Sequence, residues 1–305
     1  MKHKILIGPS TFSALDPEPT NKLLDAGFEV VDNPFGRKLT KGELKGLLRE
    51  VSGIIAGLET LDREVLQESS LRVISRCGSG ISNVDVQAAQ EFGIEFYYTP
   101  SGPTTAVAEL AVGMILNLIR QAPQMNTDLH QGNWSKKIGL ELDGKVVLII
   151  GFGHIGRKVA AILKAFGAKL IAVDPALDGE ADGVPLVDLD DALPTADIIT
   201  LHLSGDREVL GAREFQIMKK GVFLLNGARG GLLSEKHLIA GLENGTVAGA
   251  WLDVFEQEPY SGPLVKYPQV ILTPHIGSYT RECRRQMEME SVENLIAGFK
   301  KIKVI

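Results

Sequence analysis

Short apolar runs alternate with one-sided amphipathic stretches along the whole chain. In the first hundred residues the runs are Ile5-Leu6-Ile7, Gly53-Ile54-Ile55-Ala56, Arg72-Val73-Ile74-Ser75 and Ile94-Glu95-Phe96-Tyr97-Tyr98. Between them, residues 43–51 and 62–68 place Leu or Val at three- and four-residue spacing with charges between, the pattern of helices that bury one face. Strand alternating with helix predicts βαβ units and a parallel sheet. From Val146 the alternation restarts more strongly: residues 146–150, 170–173, 197–203, 222–225, 247–252 and 270–272 are β-branched or leucine-rich, as strands buried on both faces are. Six such runs fit one doubly wound sheet.

Both patterns are interrupted at Thr99-Pro100-Ser101-Gly102-Pro103, where two prolines and a glycine place a domain boundary near residue 100. Residues 104–121 then predict a long helix, with Thr104 or Thr105 as N-cap and Glu109 near its positive end. Ala106, Val107, Leu110, Ala111, Met114, Ile115, Leu118 and Ile119 cover nearly every side of it, so it runs between domains or meets a second subunit. Residues 281–303 form a last helix, beyond the last strong strand and free to pack back on the first domain. The expected fold is α/β, with two Rossmann-like or flavodoxin-like doubly wound parallel-sheet domains. Residues 100–281 form one of them, inserted into the other, which comprises 1–99 plus 282–305.

Composition narrows the function classes. Over 305 residues, 44% hydrophobic and 23% charged side chains exclude a disordered or fibrous chain. Lys and Arg number 32 against 38 Asp and Glu, a net charge of -6, which argues against nucleic acid or an anionic membrane surface as a partner. Two cysteines, Cys77 and Cys283, cannot build a disulfide framework or a four-thiolate metal site, so a reduced, cytoplasmic setting and no metal are expected. The first ten residues hold only three consecutive apolar positions, too few for a signal-peptide core, and no segment approaches the roughly 18 apolar residues of a membrane span.

The most informative motif is Gly151-Phe152-Gly153-His154-Ile155-Gly156, which follows the run 146–150 directly and precedes a helix expected over 157–166. In that context Gly151 permits the tight turn, Gly153 lets the backbone approach a pyrophosphate, and Gly156 lets helix and strand pack closely, while the helix N-terminus supplies free N–H groups. Asp174 ends the next strand 18 residues after Gly156. A carboxylate there accepts from both ribose hydroxyls and repels a 2′-phosphate, and Pro175 and Ala176 offer no cation, so NAD is expected rather than NADP.

Ligands of open α/β sheets bind outside the carboxyl ends of the strands. Three ends are polar: Asn226-Gly227-Ala228-Arg229-Gly230-Gly231 after 222–225, Asp253-Val254-Phe255-Glu256-Gln257-Glu258-Pro259 after 247–252, and Thr273-Pro274-His275 after 270–272. This set suits hydride transfer to a 2-keto acid. An arginine pairs with the substrate anion, a histidine gives the carbonyl oxygen its proton, and a carboxylate fixes the imidazole tautomer. Taken singly, Arg229 could be a surface cation, Glu258 a solvated loop acid and His275 a satisfied core histidine; their common edge is what points to a site.

These residues resemble the D-isomer-specific 2-hydroxyacid dehydrogenases, most nearly the phosphoglycerate dehydrogenase branch. The landmarks run from Arg76-Cys77-Gly78-Ser79-Gly80 and Ala106-Val107-Ala108-Glu109 through the glycine motif to Ala250-Trp251-Leu252-Asp253 and Thr273-Pro274-His275-Ile276-Gly277-Ser278. The resemblance implies a catalytic triad of Arg229 on the substrate, Glu258 orienting the imidazole and His275 as acid/base. It also implies cofactor contacts from Gly151, Gly153, His154, Ile155, Gly156, Asp174, Ser204, Gly227, Ala228, Arg229, Asp253 (on the nicotinamide amide), His275, Gly277 and Ser278. Substrate contacts would come from the backbone of Gly78, Ser79 and Gly80, with Arg76, Lys136 and Lys137 as cations. A homodimer through the helix starting near Thr104 and closure of the N-terminal domain over the cofactor are implied as well.

Departures concern the substrate. Where the phosphoglycerate branch often carries an arginine after the third strand, this chain has Ala56-Gly57-Leu58-Glu59; Lys136 stands where an arginine is usual after Trp134-Ser135; and the usual Asn-x-Pro at the join is Thr99-Pro100 after Tyr98. The loop after His202, Leu203-Ser204-Gly205-Asp206-Arg207, lacks the Pro and Thr common there. The expected substrate pair is 3-phosphoglycerate and 3-phosphohydroxypyruvate, with a glyoxylate or hydroxypyruvate reductase as the nearer alternative and a NAD-sensing corepressor-like protein as the alternative outside enzymes. With the sequence ending at Ile305, a serine-responsive C-terminal domain is not expected.

Overall fold

The computed structural model describes residues 3–100 and 102–303; Ser101, within the expected join, and Val304 and Ile305 lie outside them. Contacts divide the chain into two units, Met1–Pro103 with Tyr279–Ile305, and Thr104–Ser278.

The first unit is a five-stranded parallel sheet of β1 (Lys4–Ile7), β2 (Glu29–Asp32), β3 (Gly53–Ala56), β4 (Val73–Arg76) and β5 (Glu95–Tyr98), in the order β2-β1-β3-β4-β5. That is the flavodoxin-like order, with its reversal between β1 and β3. Helices α1 (Glu18–Asp25), α2 (Lys41–Leu48), α3 (Arg63–Gln67) and α4 (Val86–Glu91) connect the strands. Three of them have side-chain caps that stop the preceding loop: Thr40, Asp62 and Asp85 accept from the N–H groups of Glu43, Val65 and Ala88. Strand β2 is not among the runs the pattern picks out. At the sheet edge, Glu29-Val30-Val31-Asp32 is only partly buried and needs no continuous apolar run.

The second unit begins with α5 (Thr104–Arg120) and α6 (Ala122–His130), followed by β6 (Val146–Ile150), α7 (His154–Lys164) and β7 (Lys169–Val173). A small antiparallel pair, β8 (Glu180–Ala181) and β9 (Val184–Pro185), precedes α8 (Leu189–Ala192), β10 (Ile198–Leu201), α9 (Ala212–Ile217), β11 (Val222–Asn226), α10 (Glu235–Asn244), β12 (Val247–Leu252) and β13 (Val270–Leu272). The main sheet is parallel, in the order β13-β12-β11-β10-β6-β7. Beyond β7, Leu186 makes a single parallel bridge to Ala172, with Val187 N–H donating to Ala172 O at 3.0 Å. With that rudimentary strand counted, the edge reads third-second-first-fourth, the dinucleotide-binding order. Alternation along β6 sorts the core: Val147 and Ile149 pack with α5 and α7 residues such as Ile115, Val159 and Leu163, while Leu148 and Ile150 pack with Phe215 of α9 and Leu238 of α10.

Helix α5 opens at Thr104 itself, so neither threonine is a cap lying outside the helix, and Thr105 is exposed in its first turn. It buries Ala108, Ala111, Val112, Ile115, Leu118 and Ile119, and leaves Leu110, Met114 and Leu116 partly exposed. The helix expected over 104–121 ends within one residue of α5, whereas α6 is not among the expected elements. Gln121 divides them in the left-handed region, at φ 52°, and Pro123 opens the new helix. Among the described residues no single helix is long and apolar enough to cross a membrane. The chain then returns to the first unit as α11 (Arg281–Lys301), which packs on β3, β4, β5 and α1.

Candidate active site

The glycine-rich turn lies at the carboxyl end of β6. Helix α7 starts at His154, three residues earlier than expected, because Gly153 already takes the extended N-cap conformation and Gly156 falls in the first turn. A Cβ on Gly156 would collide with the Gly151 carbonyl oxygen, so helix and turn pack at a distance only glycine allows. At Gly153 an added Cβ would meet no atom of the chain. Glycine there leaves room for something approaching from outside, next to the N–H groups of His154, Ile155 and Gly156, for which no side-chain cap is provided. Gly153 and His154 are exposed, as a ligand-facing edge must be. These residues therefore fit a dinucleotide pyrophosphate. Asp174, at the end of β7, accepts from Phe152 N–H at 2.7 Å and from Ala176 N–H at 3.0 Å, which sets its carboxylate beside the turn. His202, just past β10, shares this edge: its N–H donates to Ile150 O and its Nε2 contacts Thr200 Oγ1 at 2.9 Å. Burial alone holds its pKa down at about 4, so the ring is neutral, and its Nδ1 is enclosed with no hydrogen-bond partner. Ser204 lies in the exposed loop that follows.

On the other side of β10, three adjacent strand ends are joined by buried polar groups. Asn226, the last residue of β11, accepts from Ala228 N–H through Oδ1 and donates through Nδ2 to Arg229 O, which shapes the Gly227-Ala228-Arg229 turn. Its backbone carbonyl accepts from Asp253 N–H at 2.9 Å. Asp253, 1% exposed, takes three donors from the loop after β13: Thr273 Oγ1 at 2.6 Å, Ile276 N–H at 2.8 Å and Gly277 N–H at 2.7 Å. The Trp251 indole N–H donates to the same threonine. Three donors nearly fill a carboxylate, so in this structure Asp253 anchors the loop that carries His275.

That anchoring has a visible consequence. His275 is held in the left-handed region at φ 55°, which costs a non-glycine residue energy and persists only where the surroundings enforce it. The imposed geometry brings Nδ1 to 2.9 Å from Glu258 Oε2, and the other oxygen of Glu258 accepts from Phe255 N–H. Each side chain remains more than a third exposed. Glu258 as acceptor at Nδ1 leaves Nε2 facing away from the carboxylate, available to exchange a proton. Arg229 is half-buried, in extended backbone conformation, with Nη1 donating to Ala228 O. Sequence reasoning singled out Arg229, Glu258 and His275 but gave no part to Asn226 or Thr273, whose signal is a polar residue closing an otherwise apolar buried strand.

Lys136 and Lys137 lie in the exposed connection between α6 and β6. Lys137 approaches Asp128 and Gln124 of α6, and among the described residues no hydrogen bond ties either lysine to the strand-end loops. In the first unit, Arg76 ends β4, is 8% exposed and donates from Nη1 to Cys77 O. The guanidinium covers Gly78, which adopts φ 144° and has no room for a side chain. The N–H of Gly78 is not turned outward: it donates to Thr99 Oγ1 at 2.7 Å. Ser79 is exposed and Gly80 half-exposed. Cys77 is buried, which pushes its thiol pKa up to about 11 and leaves it unreactive.

Fold and site together define a two-unit α/β protein with a dinucleotide-binding turn and an imidazole–carboxylate pair on one sheet edge. The model of the D-isomer specific 2-hydroxyacid dehydrogenase NAD binding domain matches residues 112–277, and the chain belongs to that family. It is 39% identical over 292 residues to D-3-phosphoglycerate dehydrogenase of Sus scrofa, covering 92% of this chain and 54% of that one. It is 37% identical to hydroxypyruvate reductase of Thermotoga maritima, covering 92% and 94%. A glyoxylate reductase structure from Paecilomyes thermophila superposes with a TM-score of 0.86 at 32% identity, over 98% and 96%. The chain thus spans about half the length of the phosphoglycerate dehydrogenases it matches and nearly all of the two reductases.

Proposed function

We propose that the protein is an NAD-dependent oxidoreductase that interconverts a D-2-hydroxy acid and its 2-keto acid. The observation that carries this reading is the 2.9 Å contact of His275 Nδ1 with Glu258, on the sheet edge that also bears the glycine-rich turn. The cofactor, held by the turn and by Asp174, supplies the hydride. In reduction, Arg229 pairs with the substrate's carboxylate and carbonyl, His275 gives its Nε2 proton to the carbonyl oxygen, and Glu258 steadies the imidazolium before the transfer. In oxidation His275 is the base. The backbone of Ser79 and Gly80 takes the substrate carboxylate, and residues 1–99 with 282–305 act as the substrate domain around an inserted nucleotide domain.

For the substrate, 3-phosphoglycerate and 3-phosphohydroxypyruvate come first, supported by the names of relatives such as the porcine enzyme. The second reading, a hydroxypyruvate- or glyoxylate-type reductase, is favoured by Gly57-Leu58-Glu59: that strand end supplies no cation, and Glu59 is a buried carboxylate. NADH oxidation with a panel of phosphorylated and unphosphorylated keto acids tests both. His275→Ala is expected to lower turnover at least about 100-fold, the usual contribution of a positioned acid. Near-wild-type turnover in that variant removes His275 from the role, and tight NADH binding with no turnover on any keto acid supports a nucleotide sensor instead.

The same reading pairs two copies through α5, supported by the partly exposed Leu110, Met114 and Leu116 on that helix. A dimer mass by light scattering is expected, falling to a monomer in Met114→Glu; a wild-type monomer contradicts it.

A further inference from the structure

We infer that Thr99 is a positioning residue for substrate: its buried hydroxyl holds the Arg76–Gly80 turn in the shape that leaves Ser79 and Gly80 at its accessible tip. The inference rests on the reading that this turn takes the substrate carboxylate. Three observations within the first unit support it. Thr99 is fully buried, directly after β5, and its Oγ1 accepts from Gly78 N–H at 2.7 Å while its own N–H donates back to Gly78 O at 3.3 Å. This two-way clamp extends the pairing of β4 with β5 past the last ladder residues, Arg76 and Tyr98. Gly78 sits at φ 144°, a conformation that needs fixing because glycine itself prefers none. The Arg76 guanidinium covers the other side of Gly78, so the turn is gripped from two directions and only its tip, Ser79 and Gly80, faces outward.

The clamp also explains why a threonine suffices. The one acceptor needed is a hydroxyl oxygen at the end of β5. In a fully buried position, a residue without it would leave the Gly78 N–H with no acceptor, a loss that the turn would relieve by rotating. A rotated turn changes the direction of the next two N–H groups, and with it the fit of a carboxylate, but leaves the imidazole and the dinucleotide turn untouched.

The test compares Thr99→Val, which keeps the shape and removes the acceptor, with Thr99→Ser, which keeps the acceptor. In steady-state reduction with NADH, the valine variant is expected to raise the keto-acid KM about tenfold, the value of one buried hydrogen bond. Its kcat and NADH Kd should stay within about twofold, and serine should restore KM. An unchanged KM in the valine variant, or a serine variant as impaired as valine, overturns the inference. Amide hydrogen exchange at Gly78 reads the clamp without turnover. It should speed up at least about tenfold in Thr99→Val and not in Thr99→Ser. Unchanged exchange overturns the inference even if the protein reduces keto acids, whereas a wild type that reduces none removes the functional reading and leaves exchange to decide the clamp.

Discussion

Asp174 illustrates how much one side chain at a strand end can decide. Its two oxygens already accept from Phe152 and Ala176 N–H groups, so the carboxylate is fixed beside the glycine-rich turn before any ligand arrives. A fixed negative charge at that point favours ribose hydroxyls as donors and opposes a phosphate on the same ribose. NADH is therefore expected to bind more tightly than NADPH. Asp174→Asn keeps an acceptor for the Phe152 amide and removes the charge, so the ratio of the two Kd values should move toward NADPH by about tenfold, or roughly 1.4 kcal/mol. Calorimetry on both proteins checks this, and a ratio unmoved by the substitution would show that the charge does not select the nucleotide. His202 and Cys77 show the opposite case. They are titratable groups near the two candidate subsites that burial keeps uncharged, His202 at a pKa of about 4 and Cys77 at about 11, and neither is suited to the proton transfer assigned to His275.

At the level of elements, legibility followed burial. Strands β6, β10, β11 and β12 lie inside the second sheet, and because both faces are covered their sequences had to be predominantly apolar, which is readable without a structure. Strand β2 and the Leu186 bridge sit at sheet edges, where Glu29 and Asp32 can face water and one bridge suffices, so neither leaves an apolar run. Helix α6 was hidden because it buries none of its residues and so leaves no apolar stripe in the sequence. The same contrast divides the site. Glu258, His275 and Arg229 stand out as polar residues on loops after apolar strands. The lock that strains His275 into place runs through Asn226, Asp253 and Thr273, whose meaning depends on which strand lies beside which. Thr99 is similar: only the adjacency of β4 and β5 turns an ordinary threonine into the acceptor for Gly78. Side-chain type and order along one strand are legible in sequence, but partnerships between strands distant in sequence are not.

For the whole molecule, the return of α11 to the first unit makes that unit's stability depend on the far end of the chain. Helices α2, α3 and α4 cover one face of its sheet, where Leu6, Ile54 and Ile74 meet Leu44, Val65 and Ala88. The opposite face is closed by α1 and α11. On α11, Met287, Val292, Leu295 and Phe299 are buried, with Phe299 against His3 and Phe28 and Gly298 against Val73 and Tyr97. Ser75 Oγ donates to Ser291 O, Arg284 reaches Thr11, and Arg285 pairs with Asp16. Four buried side chains at about 1.5–3 kcal/mol each amount to roughly the whole stability of a small domain. A chain cut after Ser278 should therefore lose the first unit as a folded body and keep the second, whose sheet and both covering layers lie within Thr104–Ser278. The expected result is an NADH Kd within about threefold of the full chain, no keto-acid turnover, and loss of hydrogen-exchange protection along β3, β4 and β5 while β6, β10 and β11 stay protected. Protection surviving in β3 to β5 would mean that α11 only decorates that sheet. Loss of NADH binding together with protection in β6 would mean that the nucleotide site draws on residues outside the second unit, and the inserted-domain reading would have to be redrawn.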